Sequence, residues 1–191
     1  TYTDPVSLKD LVGGPGVIIG DETTPSNVYF NVVGTCINAD GMNTTWHLRG
    51  VKIEATTHAI LCDNGSYIQF QNIDFGQCGA RHISTINGSV YASGNYTISG
   101  GCQTHADAYN NGLIRCQNRT VTILNNPSWS IQFAQATSGG VVFLQNNTYN
   151  GSASGKRYTA TINGVIWTVG GGANALPGSV AGTTSSGGQY V

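Results

Sequence analysis

Seven Asp (4, 10, 21, 40, 63, 74 and 107) and two Glu (22 and 54) are the only side-chain carboxylates in the 191 residues. Cleaving a glycosidic bond needs two of them face to face, about 5–5.5 Å apart for retention or about 6.5–9.5 Å for inversion. Asp40 and Asp63 stand beside successive turn signals. One turn of a coil apart, they would stack at about 4.8 Å. An Asp at a corner is also an ordinary turn residue. A second group is His58, His82 and His105, which precede a corner Asn by six, five and six residues, with Arg81 and Asp107 close in sequence. Imidazoles titrate near neutral pH and serve as acid, base or metal ligand. They also serve as a polar ladder, and the five/six mismatch would turn His82 to the opposite face of its strand. The catalytic candidates are therefore Asp40, Asp63, His82, His105 and Asp107. Cations that steady an enolate-like intermediate are scattered: Arg49, Lys52, Arg81, Arg115 and Arg119. Asp74 takes the place equivalent to Lys52 one repeat further on, and it reads as the surface ion-pair partner of that lysine.

Recognition without chemistry asks less of the chain. Sugars are held by aromatic faces beside amides and hydroxyls. Trp129, Tyr91, Tyr109 and Tyr67 are the carbohydrate-binding candidates, Trp129 in an inserted loop and the tyrosines near strands. Trp46 and Trp167 sit in apolar company and read as core or subunit contacts. The five Cys, at gaps of 26, 16, 24 and 14, fit no zinc pattern and read as small buried residues. No calcium-type carboxylate cluster occurs, so neither metal nor cofactor is expected. Seven N-x-S/T sequons occur, as a chain rich in Asn, Ser and Thr readily produces.

Composition narrows the partners. Charged residues are 9% of the chain and the net charge is −1, against about 25% charged in an ordinary globular domain. No basic patch is present for nucleic acid, and no apolar run approaches the roughly 20 residues of a membrane span.

What must position these groups is a repeat. Turn pairs fall at Asp40-Gly41, Asn64-Gly65, Asn87-Gly88, Asn111-Gly112, Gly139-Gly140 and Asn163-Gly164, with steps of 24, 23, 24, 28 and 24. Alternating runs such as "YIQFQNIDF" follow the corners and shorter ones precede them. Period-2 alternation, no helical pattern and a fixed period predict stacked strand–corner units. The expected fold is all-β: a right-handed parallel β-helix of about six rungs of roughly 24 residues. Gly in these pairs supplies positive φ, and Asn tolerates it. Asn side chains can form a ladder up the corner. The one long step predicts a loop insertion around "NNPSWSIQFAQATS". Residues 1–27 read as a lead-in cap, with "SLKDLV" a helical turn capped by Ser7. Residues 28–167 read as the coil. Residues 168–191 read as an aperiodic Gly/Ser-rich tail that packs on its own coil or on a neighbouring subunit.

The six-corner repeat over residues 28–166 and the C-terminal "LPGSVAGTTSSGGQYV" resemble bacteriophage tailspikes and tail fibres. That resemblance implies a side-by-side homotrimer on the virion tail, acting outside the host cell and recognising a bacterial surface polysaccharide. No residue signature of one tailspike type is present, so no catalytic residue is carried over. A polysaccharide hydrolase or lyase on the same coil is the alternative, and an adhesin or structural β-helix is the third reading.

Overall fold

The computed structural model describes residues 1–191. Its alternating runs are short strands with one face in and one face out. In Tyr67–Gln71, Ile68 and Phe70 are buried while Tyr67, Gln69 and Gln71 are partly exposed. One such strand cannot bury its apolar face alone, so successive units stack. The strands pair in parallel with their counterparts one turn on, and the chain forms a parallel β-solenoid of about seven turns, not six.

Three sheets run the length of the coil. The first contains Ile37–Asp40, His58–Asp63, Arg81–Ile86, Cys102–Tyr109, Ser128–Thr137 and Tyr158–Thr161. The second contains Trp46–Arg49, Tyr67–Gln71, Ser89–Ala92, Leu113–Arg115, Val141–Phe143 and Val165–Trp167. The third contains Tyr29–Val32, Lys52–Ala55, Asp74–Cys78, Tyr96–Ile98, Thr120–Ile123 and Thr148–Asn150. Register is nearly continuous, so each inward residue sits on its counterpart. Ile68, Val90, Ile114, Val142 and Ile166 form one such column. Ala39, Cys62, Thr85, Ala108, Ala136 and Ala160 form another. All five Cys are free and buried, where a small side chain fills a narrow column.

The coil extends past both expected ends. Val6–Ser7 and Gly16–Ile19 pair with the first and second sheets at one end. Ser7 therefore lies in a strand and caps no helix; the one helical element is the short turn Pro25–Asn27. At the other end Thr183–Ser185 pairs with Tyr158–Thr161, and Gln189–Tyr190 pairs with Val165–Trp167. Their Ser186-Gly187-Gly188 corner repeats Ser138-Gly139-Gly140.

The insertion forms no loop. Offsets between paired strands grow step by step along one turn, from Ser89–Leu113 to Tyr96–Val121, then Cys102–Trp129, then Thr104–Gln132. The last step is a register shift within Cys102–Tyr109 against Ser128–Thr137. The extra residues are thus shared among two corners and one bulge, which leaves a long strand, Ser128–Thr137, where a loop was expected.

Corners divide their labour differently from the sequence reading. Asn64, Asn87, Asn111 and Asn163 themselves take positive φ, between 52° and 62°. Gly88 and Gly112 do not; a Cβ at Gly88 would stand 2.2 Å from the Cys62 carbonyl oxygen, and one at Gly112 would stand 2.5 Å from that of Thr85. These glycines are needed because the chain passes over the backbone of the turn before it. The side-chain ladder is limited to Asn64 Nδ2 donating to Asp40 Oδ1 at 2.6 Å on these corners.

Gly88→Val should destabilise the chain by about 3 kcal/mol or more, since rigid backbone blocks the new side chain. Gly41→Ala, at φ +62° with open space around it, should cost only about 1 kcal/mol. Urea midpoints check this, and equal midpoints for the two variants would contradict the division.

Candidate functional site

The outer face of the first sheet carries a groove of about 390 Å³. Two outward columns build it. One runs Leu61, Ser84, Asp107, Gln135, and the other runs Asp63, Ile86, Tyr109. His58 and Arg81 are register partners at its edge. Arg81 Nε donates to Asp107 Oδ2 at 2.8 Å, and the Asp107 side chain is only 8% exposed. Asp107 Oδ1 is buried and has no hydrogen-bond donor. Burial raises the Asp107 pKa above its ordinary value, against the lowering pull of Arg81. Asp63 is also raised, by burial first; the Ile86 N–H opposes this and the nearby Asp40 charge adds to it. Asp63 Oδ1 accepts from that N–H at 2.8 Å. Asp40 and Asp63 are register partners, as the repeat predicted. The groove thus joins Asp63, Asp107 and Tyr109 from the sequence candidates. It adds His58, Leu61, Arg81, Ser84, Ile86 and Gln135. Gln135 was hidden because it pairs with Asp107 across the irregular turn, where the usual spacing fails.

His82 and His105 belong elsewhere. Both are 0% exposed, so neither can meet a substrate from this face, and the three-His column is broken. Arg81 is the residue that stacks on His58. His82 and Ile83 are both buried, which is why strict alternation misplaced the ring. The two imidazoles form a chain whose protons can be assigned. The Gly76 carbonyl can only accept, so His82 Nε2 donates to it at 2.8 Å. With the ring neutral, His82 Nδ1 accepts from His105 Nδ1 at 3.0 Å. His105 Nε2 then accepts from the Tyr96 hydroxyl at 3.2 Å. Phe75 and Phe133 stack on the rings. Trp129, expected in an exposed loop, is 2% exposed and packs here, with centroids 5.5 Å from Phe133 and 6.1 Å from His105. It cannot bind sugar from the outside. Its place follows from its register partner Cys102, which is itself buried.

The second sheet presents a different outer face. One column runs His47, Gln69, Tyr91, Arg115, Phe143, Trp167, and the other runs Tyr67, Ser89, Leu113, Val141, Val165. Tyr67 and Tyr91 come together here, but Tyr91 is already occupied. Arg119 Nη2 donates to its hydroxyl at 2.9 Å, and the guanidinium carbon lies 5.6 Å from its ring centroid. Arg115 sits over Phe143, which leans on Trp167. Trp167 is 43% exposed and so is no core residue. Trp46 donates its indole N–H to the Lys9 carbonyl. On the third sheet Asp74 is the register partner of Lys52, as the repeat placed it, but the ion pair of Lys52 is with Glu54 at 3.1 Å.

The His chain generates a pH prediction. Burial pushes His82 down to about 4, and burial together with the neighbouring His82 pushes His105 well below its ordinary value. Depressed values mean that the unfolded chain takes up protons first. The neutral pair therefore contributes fully above about pH 6.5, and the contribution falls as pH drops towards 4. His82 alone accounts for a loss on the order of 3 kcal/mol. Asp63 and Asp107, raised in the fold, work in the opposite sense. Urea midpoints from pH 7.5 to 4.5 should fall steeply for the native chain and more gently for His82→Gln/His105→Gln. Parallel profiles would contradict the assignment.

Comparison with known proteins finds no matching protein family, no matching curated protein and no matching solved structure.

Proposed function

We propose that the chain is a polysaccharide-recognition module of the tailspike or tail-fibre kind, with its sugar site in the groove of the first sheet. The observation that carries this reading is Asp107 Oδ1, a buried carboxylate oxygen without a donor beside a 41%-exposed Tyr109 ring. An acceptor of that kind costs stability until a donor reaches it. A sugar hydroxyl supplies the donor, and the sugar's apolar face covers the tyrosine. Gln135, Ser84 and the remaining Arg81 N–H groups lie ready for neighbouring hydroxyls.

The second sheet has another part in this proposal. Leu113, Val141, Val165, Phe143 and Trp167 form an apolar strip on an outer face, whereas the first and third sheets present mainly Thr, Asn, Gln, Ser and charged residues there. Three such strips meeting along an axis would make the homotrimer. Tyr67 and Tyr91 then serve the contact between subunits. On this reading the module works on a virion, outside the host cell.

Cleavage is the second reading. It is favoured by Asp40 and Asp63, which stand in register at the groove's margin.

Two measurements test the proposal. Tyr109→Ala should weaken binding to a responsive bacterial surface polysaccharide by about tenfold and leave the melting temperature unchanged; unchanged affinity would remove the groove as the site. Light scattering should give three times the 20.0 kDa of one chain, and Val141→Lys should return it to the mass of one chain. New reducing ends that disappear in Asp63→Asn would favour cleavage over binding alone.

A further inference from the structure

A different region of the coil carries an unmatched positive charge. All nine carboxylates lie between Asp4 and Asp107, while Arg115, Arg119, Lys156 and Arg157 follow without a single Asp or Glu. The two ion pairs, Lys52–Glu54 and Arg81–Asp107, both lie in the acidic part. Arg119 is held by the Ala92 carbonyl and the Tyr91 hydroxyl, and Arg115 lies over Phe143. Arg157 has no such partner. Its Nε is buried with no acceptor, although a guanidinium N–H deprived of both water and acceptor is costly.

Arg157 lines a cleft of about 460 Å³ between the Asn147–Ala153 corner and the segment 174–178. That segment is packed onto the arginine stem: Leu176 is 3% exposed, and a Cβ at Gly178 would lie 3.2 Å from Arg157 Cγ. The other polar groups are donors or can act as such. Asn147 Nδ2 donates to the Tyr149 hydroxyl oxygen at 3.1 Å, which leaves the Tyr149 proton free to donate. Asn174 lines the opposite wall from an exposed position. No carboxylate side chain enters the cleft.

We propose that this cleft binds an oxyanion, held by the Arg157 guanidinium with the Tyr149 hydroxyl and the Asn174 amide. An arginine fork matches the two oxygens of a carboxylate, phosphate or sulfate. The anion supplies the acceptor that Nε lacks and the charge that this part of the chain lacks. The site is separate from the groove at Asp107, and its fate does not depend on sugar binding there.

Titration calorimetry at constant ionic strength with inorganic phosphate, sulfate and glucuronate tests it. The native chain should saturate with at least one of them. Arg157→Gln should weaken that affinity by about tenfold or more, while Lys156→Gln, a neighbouring cation outside the cleft, should change it less than about twofold. Should Arg157→Gln fail to fold, Asn174→Ala at its exposed position should still weaken binding about threefold. Preference for glucuronate marks the carboxylate of an acidic sugar as the natural partner, and preference for phosphate or sulfate marks a free or esterified inorganic anion; either supports the site. Absence of saturation with all three anions overturns it, as does affinity unchanged in the variants.

Discussion

Everything in this molecule depends on parallel strands stacked in register at about 4.8 Å per turn. That spacing turns the sequence into columns, in which each residue sits on its counterpart one turn away. Some inward columns keep nearly constant volume from turn to turn, as Ile68, Val90, Ile114, Val142 and Ile166 do, while others trade large for small residues, as Ile60, Ile83, Ala106, Ala134 and Tyr158 do. Where the corner folds over the backbone below, no Cβ fits, and Gly88, Gly112 and Gly164 recur. A packed interior tolerates few exceptions to such rules.

The histidine pair is an exception that the columns can hold only as a unit. Each ring needs the other to satisfy its nitrogen, and both need an end point: the Gly76 carbonyl on one side and the Tyr96 hydroxyl on the other. Removing any one member strands a buried polar atom. The aromatic shell of Phe75, Phe133 and Trp129 packs around them in this section of the coil. The irregular turn lies here too, because Trp129 and the bulge before Gln132 belong to the strand that closes this section. Bulky rings and extra residues arrive together, which is a physical account of why the longest step between corners lengthened a strand.

This also separates what the sequence made legible from what it hid. Period and alternation specify the solenoid, its corners and the Asp40–Asp63 register, because those follow from local spacing. The placement of His82, His105 and Trp129 does not follow. It depends on two adjacent residues both facing inward and on a pairing offset that shifts inside a strand. Gln135 escaped for the same reason, as a residue is assigned to the groove only when its offset from Asp107 is known. The terminal turn was written in the sequence, since "SSGGQ" repeats the "TSGGV" corner; its weak β-propensity concealed it, and pairing with Thr159–Thr161 and Val165–Ile166 supplies what propensity lacks.

A filled interior leaves only the outside for function, and the outside is divided. The stacking that fixes the core also sets the outward residues in long lines up each face. Apolar residues gather on the second sheet, hydroxyls and amides on the first and third, and carboxylates stop at Asp107. A solenoid therefore presents extended lines of side chains, unlike the compact patches of a globular domain. On the proposed reading such lines meet partners that are themselves repetitive, an extended polysaccharide or another copy of the same coil. Asp107 Oδ1 and Arg157 Nε are two of eight buried side-chain atoms left without a partner, and they are the two that belong to charged groups lining the proposed clefts, one on the last side-chain carboxylate of the chain and the other beyond it. One lacks a donor and the other lacks an acceptor, so the two proposed clefts make opposite demands on whatever fills them.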